Sequence, residues 1–170
     1  VMIQVVNSRP EGVCFVHAVA TRDCTNNALF CRNFKGWSAL TPAGMMAYQY
    51  MPHSTFCCMP LPAPHKFIAD IRWLAQNGCV GYEGQSGYKT FGLFGITLYA
   101  TAKAMWNPNL DPNALLKDYC DSAFHESSEP MQSFFQTFAR GQKEADHTHT
   151  GIWTALPPKI LSQARLDMNK

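Results

Sequence analysis

The sequence lacks the patterns by which several common classes of protein are recognised. No apolar stretch approaches the roughly 20 residues needed to cross a bilayer, and Lys and Arg are dispersed along a chain of formal net charge +2. Such a chain has no cationic stripe that would bind nucleic-acid phosphates. There is also no Gly-rich phosphate loop and no Gly-x-Ser-x-Gly nucleophile elbow. We therefore predict no nucleic-acid partner, no membrane partner and no cofactor.

The cysteines do not form the pattern of a disulfide framework or of a metal knuckle. Seven of them are spread irregularly over 170 residues, whereas disulfide frameworks are normally even-numbered and belong to smaller chains. His17, Cys24 and Cys31 are conceivable zinc ligands, but their spacing matches no Cys-x-x-Cys knuckle. His147 and His149 are better explained by a polar loop. We predict no metal site, and no cysteine has a recognisable catalytic context.

What the sequence does contain is an alternation of short apolar strands with amphipathic helices. We predict strands at 13–19, 45–50 and 79–82, and helices at 28–40, around 67–75 and at 91–106. Strands that alternate with crossover helices predict a parallel sheet, which normally needs helices on both faces. The fold class predicted is therefore α/β.

Residues 99–138 carry a series of helix-boundary signals. One helix is predicted to end at Trp106, a second to begin at Asp111-Pro112 and a third at Ser128-Glu129-Pro130. Asp and Ser can accept hydrogen bonds from free backbone N–H groups at a helix start, and Pro in the first turn sacrifices no helical hydrogen bond. Gly78 is predicted to end a helix in the left-handed conformation, and Pro157-Pro158 to begin one.

The order of motifs along the chain resembles the domain of unknown function 4838 family. The likeness rests on VCFVHAVATRDC, Gly36-Trp37-Ser38, MPLPAP, FIADIRWLAQNGCVGYEGQ and the segment WNPNLDPNALLKDYC, and it covers most of residues 12–140. The family occurs in large, mostly bacterial proteins with carbohydrate-active modules and is similar in fold to α-glucuronidase and hexosaminidase barrels. The resemblance thus implies a (β/α) TIM-type barrel and a carbohydrate substrate.

At 170 residues the chain is shorter than a complete barrel, which usually needs roughly 250. The sequence begins without Met, inside the apolar run Met2–Val6, and we expect it to start part-way through a larger protein. We predict that residues 1–107 form the C-terminal part of the barrel and that residues 108–170 form a trailing helical segment packed on it. The missing N-terminal half would then be a partner, and the fragment alone is expected to be inactive. The compartment is not encoded, although the resemblance implies a secreted, periplasmic or cell-surface protein.

In a barrel, residues at the C-terminal ends of the strands face the active site. Glu83 directly follows a predicted strand, and in a sugar-binding cleft its carboxylate could act as acid, nucleophile or hydrogen-bond acceptor; the alternative is a solvated loop residue. We predict Glu83 as the catalytic candidate. The predicted substrate-binding residues lie beside it in the sequence or at the other strand ends: His17, Gln49, Tyr50, His53, Tyr82 and Gln85.

Two features leave the function open. The family that this chain resembles usually carries an acidic residue at the position of Gln49, and an amide neither takes nor gives a proton at neutral pH. Glycoside cleavage generally needs two carboxylates, and only Glu83 is visible as a candidate. The prediction is therefore a glycoside hydrolase-like protein that binds or hydrolyses polysaccharides or glycosides, with a non-catalytic carbohydrate-binding or scaffolding module as the alternative. An interaction surface on the C-terminal helices is a third, weaker possibility.

Overall fold

A computed structural model describes residues 2–7, 24–50, 64–85, 91–144 and 158–169. The order of elements is β1 (Ile3–Asn7), α1 (Thr25–Leu40), β2 (Met45–Tyr50), α2 (Pro64–Gln76), β3 (Cys79–Gln85), α3 (Phe91–Trp106), α4 (Pro112–Phe124), a 3₁₀ turn (His125–Ser127), α5 (Ser128–Glu144) and α6 (Pro158–Asp167). The first half alternates strands with helices, and the second half is helical.

The three strands form one parallel sheet in the order β1-β2-β3. Val5 of β1 lies opposite Ala47 of β2, which in turn lies opposite Tyr82 of β3. Among the described elements, α1 lies between β1 and β2 in the sequence and α2 between β2 and β3, in line with the crossover that parallel pairing requires. The predicted parallel sheet is thus confirmed.

β3 contains a bulge near its start. Met45 pairs with Cys79 but Met46 pairs with Gly81, so Val80 has no partner residue on β2. Side chains alternate between the two faces of a strand, and one extra residue exchanges the faces for everything that follows. Tyr82 therefore shares a face with Cys79, and Glu83 points to the other side.

One face of the sheet is covered by α1 and α2. Their buried side chains Phe30, Phe34 and Leu74 pack on Met45 and Ala47 of β2, with the half-buried side chains of β1 and β3 around them. Burying aromatic and aliphatic side chains contributes about 1.5–3 kcal/mol each, so this apolar layer fixes the two helices on the sheet. Among the described residues the hydrophobic clusters include no side chain from the other face, and the expectation of helices on both faces is not met there.

The helices after β3 extend the core away from the sheet. Ile68 and Ile71 of α2 pack against Ala100 and Ala104 of α3 and Leu115 of α4. A further cluster joins α3, α4 and α5 through Ile96, Leu116, Cys120 and Phe135. The small side chains Ala100 and Ala104 allow α3 to approach α2 and α4 closely, and α3 and α4 contribute side chains to both clusters. No described helix is long and apolar enough to cross a membrane.

The predicted helices and two of the three predicted strands are confirmed. Those strands are 45–50 and 79–82, the second of which continues to Gln85. The segment 13–19 lies outside the described residues. β1 (Ile3–Asn7) was not predicted as a strand, because a five-residue apolar run at the start of the sequence has no turn signals before it. The described strands form an open sheet, so the α/β class holds while the barrel and the division at residue 107 stay predictions.

The helix-boundary signals act as predicted at Asp111 and Gly78, but not at Ser128. The Asp111 carboxylate accepts hydrogen bonds from the backbone N–H groups of Asn113 and Ala114 at 3.2 and 3.3 Å, with Pro112 in the first turn. Ser128 instead donates from Oγ to Asp121 at 2.5 Å and accepts from Gln132 Nε2. The reason is that the 3₁₀ turn leads directly into α5, so Ser128 already has helical dihedral angles.

Gly78 provides a test of the turn between α2 and β3. Its φ is +86°, and a Cβ at this position would lie 2.5 Å from Ser38 Oγ. We expect Gly78→Ala to lower the free energy of unfolding by about 1–2 kcal/mol, because an L-residue is strained in the left-handed region. Urea denaturation followed by circular dichroism measures this change.

Gly36, inside α1, is the matched control, because a Cβ there would have no neighbour within 4 Å. Gly36→Ala should raise stability by about 0.5–1 kcal/mol through helix propensity. Equal effects of the two substitutions would contradict the assignment of strain to Gly78.

Candidate functional site

The sheet face opposite α1 and α2 carries a group of polar side chains. We call this the open face and define it by Gln4 of β1, Met46 and Tyr48 of β2, and Glu83 and Gln85 of β3. Gln4, Glu83 and Gln85 are exposed, while Met46 and Tyr48 are half-buried. The open face thus presents a carboxylate, two amides and a phenol to solvent.

Two hydrogen bonds organise the open face. Gln4 Nε2 donates to Glu83 Oε2 at 3.0 Å and so connects β1 to β3 across the intervening β2. Tyr48 Oη donates to Gln85 Oε1 on the neighbouring strand. Both contacts are exposed, and carboxylate and amide groups such as those of Glu83, Gln4 and Gln85 can each make more than one hydrogen bond. A polyhydroxylated ligand could therefore meet this face with several hydrogen bonds.

The structure corrects the predicted position of Glu83. The prediction placed it directly after a strand, whereas Glu83 lies within β3, two residues before Gln85 ends the strand. Its side chain nevertheless points away from the helices, as the bulge at Val80 requires. The predicted residues Glu83 and Gln85 thus lie together on the open face.

Gln49 and Tyr82 lie on the opposite, helix-covered side. Gln49 is 2% exposed, accepts a hydrogen bond from Tyr82 Oη at 2.9 Å and donates from Nε2 to Asp70 Oδ2 at 3.2 Å. Asp70 in turn accepts from Lys66 Nζ at 2.5 Å. The structure therefore does not bring Gln49 and Tyr82 together with Glu83, and their predicted contact with a substrate stays a prediction.

Asp70 and Lys66 of α2 complete this buried network, and the sequence analysis named neither of them. Their side chains are 0% and 6% exposed, respectively, in an i, i+4 pair on one helix. The i, i+4 spacing of a Lys and an Asp was visible, but it usually marks an exposed pair. What the spacing does not indicate is that the face of α2 that carries both residues is buried.

The environment of Tyr82 makes it a poor source of protons. Burial, together with the nearby Asp70 carboxylate, raises the pKa of Tyr82 far above its ordinary value. The phenol therefore stays protonated and donates its hydrogen bond to Gln49 at any physiological pH. Its role in this network is to fix the side chain of Gln49.

The remaining predicted site residues cannot be placed. His17 and His53 lie outside the described residues, and of Tyr50 only its backbone in β2 is described. Within the described part of the chain, no three His, Cys, Asp or Glu side chains are grouped so that they would hold a metal ion. Cys24, Cys79 and Cys120 are free thiols.

Three of the described cysteines are poor nucleophiles. Burial raises the pKa of Cys31 and of Cys120 to about 11, and burial also raises the pKa of Cys79. Because the thiolate is the reactive form, these three side chains react only weakly near neutral pH.

Comparison with known families identifies the family to which the chain belongs. The profile of the family described as Domain of unknown function (DUF4838) matches residues 11–136. Since this match covers well over half of the 170 residues, the chain belongs to that family. Searches of curated proteins and of solved structures return no match.

The buried network yields a stability prediction. Lys66→Met removes the charge partner of Asp70 and leaves a buried carboxylate that still accepts a hydrogen bond from the amide of Gln49. Breaking a buried ion pair in this way costs about 3–5 kcal/mol, and we expect a loss near the lower end, because the Gln49 contact remains. Urea denaturation would measure it.

Lys117 and Asp121 offer a matched control, because they form the same i, i+4 pair with side chains 65% and 46% exposed. Lys117→Met should leave the unfolding midpoint unchanged within error, since solvent screens exposed pairs. The double variant Lys66→Met/Asp70→Leu should recover part of the lost stability. A loss in Lys117→Met as large as in Lys66→Met would contradict this account.

Proposed function

We propose that the open face of the sheet binds carbohydrate and that Glu83 is the central ligand-binding side chain. The observation that carries this proposal is the exposed Gln4–Glu83 hydrogen bond on the open face. This hydrogen bond holds the exposed Glu83 carboxylate in position beside the other polar groups of the open face. The family description specifies no ligand, so the proposal rests on this face.

The types of group on the open face suit sugar hydroxyls. Each hydroxyl both donates and accepts, and the face offers carboxylate and amide oxygens as acceptors and amide N–H groups as donors. An aromatic ring such as that of Tyr48 offers an apolar surface of the kind on which the C–H face of a sugar packs. Met46 adds flexible apolar area beside it.

The sheet topology supports a barrel-type origin for this face. Strands follow one another in sequence order, all are parallel, and both crossover helices pack on the same side. When a parallel sheet that carries all its helices on one side closes into a barrel, the helices lie outside and the other face of the sheet lines the interior. We propose that the open face corresponds to such an interior, in line with the predicted partial (β/α) barrel.

Glycoside hydrolysis is the second candidate, favoured by the carboxylate of Glu83. That side chain is exposed, and among the described residues it accepts a side-chain hydrogen bond from a neutral amide. Glycosidases generally use two carboxylates roughly 5–10 Å apart, and Glu83 is the one acidic residue in the three described strands. Turnover would therefore need a second acid from outside the described residues, and binding is the function that we propose first.

Glu83→Gln tests both candidates. Isothermal titration calorimetry against a panel of neutral, amino and acidic glycosides should show affinity at least about tenfold weaker than in the parent, because a charge-assisted hydrogen bond is lost. If the chain, or a longer protein that contains it, hydrolyses any glycoside, this variant should lose that activity. The amide keeps the size of the side chain, so stability should not change.

Glu126→Gln is the matched control, because Glu126 is exposed in the 3₁₀ turn remote from the sheet in sequence. It should bind glycosides like the parent. The proposal fails if Glu83→Gln binds as well as the parent, if both variants weaken equally, or if no glycoside in the panel binds.

A further inference from the structure

A polar cleft lies among the helices, away from the strands. It has a volume of about 330 Å³ and is lined by side chains of three elements: His65 from α2, Asn113 from α4, and Ser133, Gln136, Ala139 and Arg140 from α5. None of the lining residues belongs to a strand. The cleft is therefore separate from the open face of the sheet.

The lining side chains form a coherent surface. Ser133, Gln136 and Arg140 are spaced at i, i+3 and i+7, which places them on one face of α5. The apolar face of the same helix packs elsewhere, with Phe135 in the cluster that joins α3, α4 and α5. The polar face of α5 thus lies across the cleft from His65 and Asn113, which are in the first turns of α2 and α4.

The charge of the cleft is one-sided. Arg140 is the one Arg or Lys among the described lining residues, and none of these residues is a carboxylate. Arg140 makes no ion pair among the described residues, although its side chain is held in place by donating from Nη2 to Thr137 Oγ1 at 2.9 Å. Four further N–H groups of a guanidinium remain for other acceptors.

A hydrogen-bonded pair of buried residues, Thr137 and Asp167, holds the Arg140 side chain in position. Thr137 is fully buried and donates from Oγ1 to Asp167 Oδ2 of α6 at 2.9 Å. Asp167 is itself 1% exposed. The hydroxyl that receives the Arg140 hydrogen bond is therefore fixed by a second helix, which reduces the freedom that the guanidinium would lose on binding.

One lining residue has an unsatisfied polar atom. His65 Nε2 lies 3.1 Å from Asn113 Oδ1, while His65 Nδ1 is buried and has no hydrogen-bond partner among the described residues. Buried polar atoms are nearly always partnered by protein, water or ligand, and the described residues supply no partner for this nitrogen.

We propose that this cleft binds the oxyanion group of a small molecule, that is, a carboxylate, sulfate or phosphate. The guanidinium of Arg140 provides the charge and a planar pair of donors, and Ser133 and Gln136 provide neutral donors beside it. Asn113 fixes the ring of His65 at the opposite wall. This site is independent of the proposed carbohydrate-binding face.

Titration with sodium sulfate, sodium phosphate and sodium acetate at constant ionic strength tests the proposal, with sodium chloride as the reference. Two-dimensional NMR should show saturable shifts of the side-chain amide signals of Asn113 and Gln136 with at least one oxyanion, and none with chloride. Comparing the three salts separates a tetrahedral dianion from a carboxylate as the preferred group. Absence of saturable shifts with all three would overturn the proposal.

Two variants locate the effect. Arg140→Gln should weaken oxyanion binding at least about tenfold, as expected for the loss of a charge-assisted contact. Gln136→Glu places a carboxylate in the cleft at an exposed position, where folding is not at risk, and should abolish binding by repulsion. Retention of parental affinity in Gln136→Glu would overturn the proposal even if Arg140→Gln failed to fold.

Arg165→Gln is the matched control, because Arg165 is exposed on α6 and does not line the cleft. It removes the same charge and should leave the affinity unchanged. If Arg165→Gln weakens binding as much as Arg140→Gln does, the anions respond to overall charge, and the cleft is not the site.

Discussion

The buried ion pair of Lys66 and Asp70 is the interaction around which the α/β half of the chain is arranged. A carboxylate and an ammonium group removed from water are tolerable only when they are paired and hydrogen-bonded. Asp70 meets that condition through Lys66 on its own helix and Gln49 on β2. Because Gln49 is in turn held by Tyr82 of β3, the need to satisfy one buried carboxylate sets how α2 sits on two strands at once.

This requirement also explains the amide at position 49. A buried side chain there must accept from the Tyr82 hydroxyl and donate to the Asp70 carboxylate, and glutamine is the residue type that does both at this length. An ionised acid in its place would put two carboxylates within hydrogen-bond distance of each other. The neutral residue is thus consistent with a structural position behind the sheet, while the polar groups offered to solvent are on the other side.

Local signals in the sequence predicted most of the helical architecture. Asp111 and Gly78 act within a few residues of themselves, through a side-chain cap and a left-handed turn, so their effects can be read without knowledge of the fold. Ser128 differs because the preceding 3₁₀ turn had already supplied helical geometry. β1 has too short an apolar run to be distinguished from other buried segments by periodicity.

The candidate site was predictable in part. Glu83 and Gln85 could be selected as polar residues near the end of a strand, but which face each strand residue occupies depends on pairing with β2. Alternation counted from Cys79 without interruption would have placed Glu83 toward the helices. The extra residue Val80 is a property of the register between two strands, and the separation of Gln49 and Tyr82 from Glu83 therefore became visible only in three dimensions.

The bulge gives β3 one residue more than its pairing with β2 requires. Removing Val80 would let Gly81 follow Cys79 directly, as Met46 follows Met45 on the partner strand, and every later residue would keep its face. Removing a further residue before Tyr82 would exchange those faces, drive a negative charge into the hydrocarbon layer under α2 and expel an aromatic ring into water. Relatives of this chain should accordingly tolerate the loss of one residue near the start of this strand, but not the loss of two.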